Sequence, residues 1–150
     1  MMHDRKQTWM IFLLLIALPG VAAAQNAKAD SCANAANQAE MNECSGGQYQ
    51  QDDAHLNRVY RKAMEYLQHD LAQAGSDQPL KQSAQKAIDD LKAAETAWIK
   101  YRDLHCQAAG QQYEGGTIRP SIENMCMSMA TEHRIQEIKQ AYENGDRKLE

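Results

Sequence analysis

Four cysteines, Cys32, Cys44, Cys106 and Cys126, limit the fold of this 150-residue chain more than any other feature. An even count in a small exported chain reads as a disulfide framework, and each bridge demands Cα atoms within about 7 Å of each other. Three pairings satisfy the count. The sequential one, Cys32 with Cys44 and Cys106 with Cys126, is expected because each bridge then closes a segment containing a plausible chain reversal. The other two tie distant parts of the chain. A continuous helix over 32 to 44 would hold the first pair about 18 Å apart, so the Cys32 segment must fold back before a helix begins.

Export is read from the start of the chain. Arg5 and Lys6 precede the apolar run WMIFLLLIAL, and Ala22-Ala23-Ala24 follows it. That order is the pattern of a secretory signal peptide, with an apolar stretch shorter than the ~20 residues a spanning helix needs. Cleavage after Ala24 is expected, leaving residues 25 to 150 as one domain with short flexible ends. The expected new N-terminus is Gln25, not a cysteine, so a free periplasmic or secreted product is anticipated, without a membrane anchor. Losing Asp4, Arg5 and Lys6 with the leader takes the formal charge from −4 to about −5. A mildly acidic chain argues against nucleic acid as a partner and suits a basic one.

After the leader the chain retains a single tryptophan, Trp98, and no phenylalanine, and it is rich in Ala, Gln, Glu and Lys. Such composition favours helix over strand. Turn residues at GSDQP (75 to 79) and GQQYEGGTIRP (110 to 120) divide the periodic pattern into three long segments. The expected fold is all-α: a small bundle of three long helices, an antiparallel hairpin plus a C-terminal helix, stapled by two disulfides. The first helix starts near Asn37, with Glu40 placed for a capping box, and runs to about Ala74. Ser45-Gly46-Gly47 lies inside it and predicts a break or bend. Its apolar stripe is Leu56, Tyr60, Ala63 and Leu67. The second helix, from about Leu80 to Ala109, carries Leu80, Ala84, Ala87, Leu91, Ala94 and Trp98. The third carries Ile122, Met125, Met129, Ile135, Ile138 and Tyr142.

The second stripe changes character beyond Trp98. Arg102 and His105 continue the same face, and Cys106 flanks it. Folding the first two helices about a turn near Asp77 places Trp98 opposite Leu56, Arg102 opposite Asp52 and Asp53, and His105 opposite Tyr49. The hairpin therefore has an apolar half and a polar half, and Arg102 with Asp52 and Asp53 is expected to be a half-buried ion pair fixing helix register.

Three chemistries compete for these residues. A thiol enzyme would need Cys106 free, yet His105 points about 100° away on the same helix and cannot readily serve as its base. The cysteine is expected in a disulfide instead. A metal site would draw on MCMSM (125 to 129) and His133, where Met129 and His133 share a face and would suit copper(I). Methionines at helical spacing read instead as core filler, and Cys126 as a disulfide partner, so no metal and no cofactor is expected. No set of base, nucleophile and oxyanion donors assembles, so the chain is not expected to be an enzyme.

The remaining candidate is the loop QYEGGTIRP, 112 to 120, lying between Cys106 and Cys126. It displays Tyr113, Glu114, Gly115, Gly116, Thr117, Ile118 and Arg119, and a bridge across about 20 residues would both shape it and stabilise the fold by about 3 kcal/mol. Loops held on rigid scaffolds are frequent binding elements.

With QAEMNEC (38 to 44), DAHLNRVY (53 to 60), AWIKYRDLHC (97 to 106), QYEGGTIRP, Cys126 and TEHRIQEI (131 to 138) in this order, the chain resembles the lysozyme inhibitor LprI-like N-terminal domain family. The resemblance covers nearly all of the chain after its leader. It implies an envelope protein whose namesake binds and inhibits lysozyme; that namesake is lipid-anchored, whereas this chain reads as soluble. The expected partner is a protein, a basic lysozyme being the leading candidate. An acidic inhibitor would be steered to such an enzyme, with Tyr113 and Arg119 placed to enter its acidic cleft. The alternative is an envelope binding, immunity or stress protein with another partner.

Overall fold

A computed structural model describes residues 32–150, so the expected signal peptide over 1 to 24 lies outside the described residues. Three helices follow one another, α1 (Gln38–Gln73), α2 (Gln78–Gln111) and α3 (Arg119–Tyr142), and the described residues hold no strand. Both disulfides are sequential: Cys32–Cys44 with Cα atoms 5.7 Å apart and Cys106–Cys126 at 5.4 Å. The all-α bundle with its hairpin, third helix and two staples is thus the observed fold.

Local chemistry sets the helix ends. The Asn37 side chain accepts from the Glu40 N–H at 3.0 Å, while the Glu40 carboxylate reaches back to the Ala36 N–H at 2.8 Å and to the Asn37 amide at 3.0 Å. These bonds satisfy N–H groups that the helix itself leaves open. The turn at Cys32, closed by the Ala35 N–H on the Cys32 carbonyl, supplies the predicted fold-back. At the first reversal Gly75 takes φ +53°, a left-handed backbone that favours glycine, and Asp77 caps α2 through the Leu80 N–H at 3.0 Å.

The expected break at Ser45-Gly46-Gly47 is absent, because α1 is helical throughout. Tertiary contacts outweigh the propensity cost. Ser45 is buried with its Oγ on the Asn42 carbonyl, and a Cβ at Gly46 would stand 3.4 Å from Asn124 Nδ2. Gly46 and the buried Ser45 lie against Asn124 of α3, and that packing holds the segment helical.

The core is one cluster: Leu56, Val59, Ala63, Met64 and Leu67 of α1, Ile88 and Leu91 of α2, and Ile135 and Ile138 of α3, closed by Leu149. Each such aliphatic contributes about 1.5 to 3 kcal/mol by leaving water. Two expected stripes need correction. On α2, Leu80 and Ala94 are exposed while Ile88 and Glu95 are buried, so the inward face is rotated from the one expected. On α3, Met125 and Met129 are exposed, at 46% and 69%, while Ser121, Ser128 and Thr131 are buried. The N-terminal half of α3 meets α1 through small polar side chains, and this half of the bundle is held by hydrogen bonds rather than by an apolar seam.

The C-terminal segment, expected to be a short flexible end, docks on the bundle. Leu149 is 3% exposed, Tyr66 Oη donates to the Lys148 carbonyl at 2.7 Å, and Arg147 grips the Asp70 carboxylate. Glu150 joins Lys139 at 2.9 Å and His55 at 2.7 Å. Among the described residues no helix is long and apolar enough to cross a membrane.

Candidate functional site

The polar half of the bundle is organised around Arg102, whose side chain is 6% exposed. Its position on α2 opposite Asp53 of α1 follows from the tight reversal at 74 to 77. Nε donates to Asp103 at 2.9 Å, and Nη1 donates to Asp53 at 3.0 Å and to Thr131 Oγ1 of α3 at 3.4 Å. The guanidinium lies between two rings, 5.0 Å from the Trp98 centroid and 5.3 Å from that of Tyr49. Burial opposes its charge, but hydrogen bonds to Asp103 and Asp53 outweigh burial and raise its pKa. Burial also raises the Tyr49 phenol, a rise that Arg102 beside it reduces. One side chain thus ties all three helices together.

Asp52, expected beside Asp53 in the same pair, turns toward α3. Its carboxylate, 3% exposed, accepts from Ser128 Oγ and, at 3.3 and 3.4 Å, from Gln48. His105 does not meet Tyr49; it is exposed and stacks on Tyr101 with centroids 5.4 Å apart, while Arg102 occupies the Tyr49 face. A second ion pair, Arg134 to Glu95 at 3.0 Å, joins α3 to α2, and the Arg134 guanidinium also lies against Trp98, 5.9 Å from the ring centroid. Burial opposes the Arg134 charge too, and bonds to Glu137 and Glu95 raise its pKa.

This network is the scaffold for the loop. Among the described residues no cysteine is free, so the Cys106 thiol has no nucleophilic role. Every buried polar side-chain atom there has a partner, and no group of three His, Cys, Asp or Glu is placed to hold a metal. Groups satisfied in this way fix the shape of this half of the bundle.

The loop itself is shorter than expected, 112 to 118, because Arg119 and Pro120 begin α3. Three devices hold it. The Cys106–Cys126 bridge closes its base. Arg119 pairs with Glu123 at 2.8 Å on its own helix and with Glu114 across the loop. From α1, Asn42 Nδ2 donates to the Thr117 carbonyl at 3.0 Å, while Gln38 and Asn42 both bond to Ser121. Gly115 has φ +76°, and a Cβ at Gly116 would press on the Tyr113 carbonyl at 3.1 Å, so both glycines belong to the turn itself. The tightly held loop leaves Tyr113 and Ile118 in solvent, at 41% and 40% exposure. Arg119 is a brace, held between its two carboxylates.

Several of these parts escaped the sequence reading. Ser121, Ser128 and Ile135 recur every seven residues along α3, and that spacing of small and apolar residues was the signal for the close α1 contact. Gly110 read only as a turn residue. It is buried at the end of α2, where a Cβ would overlap the Glu123 carboxylate that holds Arg119.

Comparison with known proteins places the chain in a family. A protein of Rhizobium meliloti (strain 1021), itself uncharacterized, is 32% identical over 133 residues, spanning 89% of this chain and 93% of its own length. No solved structure matches the chain. Residues 29–138 match the family described as Lysozyme inhibitor LprI. The chain, from the folded-back Cys32 segment through the core of α3, belongs to the lysozyme inhibitor LprI family.

Proposed function

We propose that this chain is an exported inhibitor of lysozyme, free in the periplasm or secreted once residues 1 to 24 are removed, and that it acts by binding and not by catalysis. The observation that carries the reading is the loop 112 to 118, pinned at its base by Cys106–Cys126 and across its width by Arg119, with Tyr113 and Ile118 presented outward. A loop already ordered before binding loses little conformational entropy on docking, which favours affinity from a small contact. The exposed Tyr113 supplies a rigid ring with a polar end, a side chain common among residues that dominate interfaces. The formal charge of −4, about −5 without the leader, adds attraction toward a basic lysozyme. In this reading Tyr113 and Ile118 enter the cleft, and Glu114 and Arg119 keep the loop in shape.

A turbidity assay of cell-wall lysis by lysozyme tests it. The purified chain should slow lysis in a dose-dependent way, and Tyr113→Ala with an unchanged melting temperature should be at least about tenfold weaker. Full lysis at every dose of a correctly folded chain removes the proposal. Equal inhibition by Tyr113→Ala and Ile118→Ser would leave the inhibitor and remove the loop.

A further inference from the structure

We propose that the outer face of α3 carries a site for a soft monovalent metal ion, copper(I), formed by Met129 and His133 with Met125 as a third donor. Methionine in a helical pattern ordinarily fills a core. Here Met125 is 46% exposed, Met129 is 69% exposed, and the His133 side chain is 79% exposed. The three recur at intervals of four along one helix, so they form a single outward stripe in which neighbours stand about 5 to 6 Å apart at Cβ. Scattered surface apolar residues need no explanation, but two thioethers and an imidazole in one row form a soft donor set.

The imidazole is also held by its surroundings. His133 Nδ1 lies 3.1 Å from a Glu137 oxygen, and the other Glu137 oxygen accepts from Arg134 at 3.0 Å. Arg134 is anchored in turn on Glu95 of α2, at 3.0 Å. A carboxylate at Nδ1 favours the tautomer with its proton there and leaves the Nε2 lone pair for a metal, the arrangement that commonly supports a ligating histidine. Met129, one turn toward the N-terminus, lies in the direction in which a helical side chain at 133 leans. Two-coordinate N and S ligation suits a d10 monovalent ion, and Met125 can add its thioether because an unbranched side chain adapts its reach. Both cysteines near this face are committed to other chemistry: Cys126 is bonded to Cys106, and thioethers, unlike thiols, are not consumed by disulfide formation.

Silver(I) nitrate in chloride-free buffer is the probe, since it mimics copper(I) without a reductant and leaves both disulfides intact. Titration followed by the methionine methyl and histidine ring NMR signals should saturate at one ion per chain, with Met125, Met129 and His133 shifting and Met41, Met64 and Met127 not. Met129→Ile and His133→Ala, each with an unchanged circular dichroism spectrum, should each weaken binding by at least about tenfold. Zinc(II) should bind far more weakly. The proposal is overturned if no ion binds, if the signals of Met41, Met64 or Met127 move in place of those three, if either substitution leaves the affinity unchanged, or if zinc(II) binds as well as silver(I).

Discussion

Replacing Arg102 with alanine removes a side chain that touches all three helices, and the structure allows the cost to be apportioned. Asp53 and Asp103 are 39% and 49% exposed at the side chain, so water can solvate both once the guanidinium is gone. Those two ion pairs are therefore worth about 0.5 kcal/mol each, well short of the 3 to 5 kcal/mol typical when a fully buried pair is broken. The guanidinium also lies over Trp98 and Tyr49, and two such contacts contribute about 1.5 kcal/mol together. Thr131, fully buried, loses a weak hydrogen bond worth about 0.5 to 1 kcal/mol. The expected loss is about 3 kcal/mol, which lowers the melting temperature of a domain this size by about 10 °C. Thermal and urea denaturation followed by circular dichroism measure it. Asp53→Asn should cost less than 1 kcal/mol, about a third as much or less. Arg102→Lys should recover less than half the loss, because an ammonium cannot stack in the same slot while forking to two carboxylates. An unchanged melt for Arg102→Ala would refute the reasoning, and so would an Asp53→Asn loss as large as that of Arg102→Ala.

Three further outcomes follow from the same geometry. Gly110→Ala should displace Glu123, release Arg119 from one of its two carboxylates and cost about 1 to 2 kcal/mol, measurable as a shift in the urea midpoint. Replacing Cys106 and Cys126 together by serine opens a loop of 20-residue separation and should destabilise the fold by about 3 kcal/mol, seen in the same denaturation curves. Acid should loosen the C-terminal segment: the hydrogen bond from Arg147 holds Asp70 below the usual carboxylate range, and Lys139 with His55 does the same for Glu150. A lowered folded pKa means that the unfolded chain binds more protons. The stabilisation is then complete above the ordinary carboxylate values near pH 4 and lost as pH falls through the lower folded ones. Amide exchange at Leu149 should accelerate there before exchange in the core of α1 does.

Much of the fold was legible because its determinants are local. Asn37 caps the helix it was expected to begin, and the tight reversal expected near Asp77 brings Arg102 to Asp53. What was not legible depends on how closely the helices approach. Periodicity treats an apolar residue as an inward one, yet Met125 and Met129 face solvent because the α1–α3 contact selects small side chains, Ser121 and Ser128, over large ones. Glu95 is buried for a related reason: Arg134, 39 residues away on another helix, supplies its countercharge. The same long-range support keeps α1 helical across Ser45-Gly46-Gly47. At the loop, the sequence marked the glycines and the flanking cysteines, but the bracing role of Arg119 follows from Glu114 and Glu123 flanking it in space.

The most direct test of the account is a binding titration of the disulfide-bonded chain against several lysozymes, at low and high salt. The account predicts a saturable one-to-one complex with a basic lysozyme, weakened as salt screens the attraction and weakened again by Tyr113→Ala. A folded chain that forms no complex with any of them at low salt would contradict it.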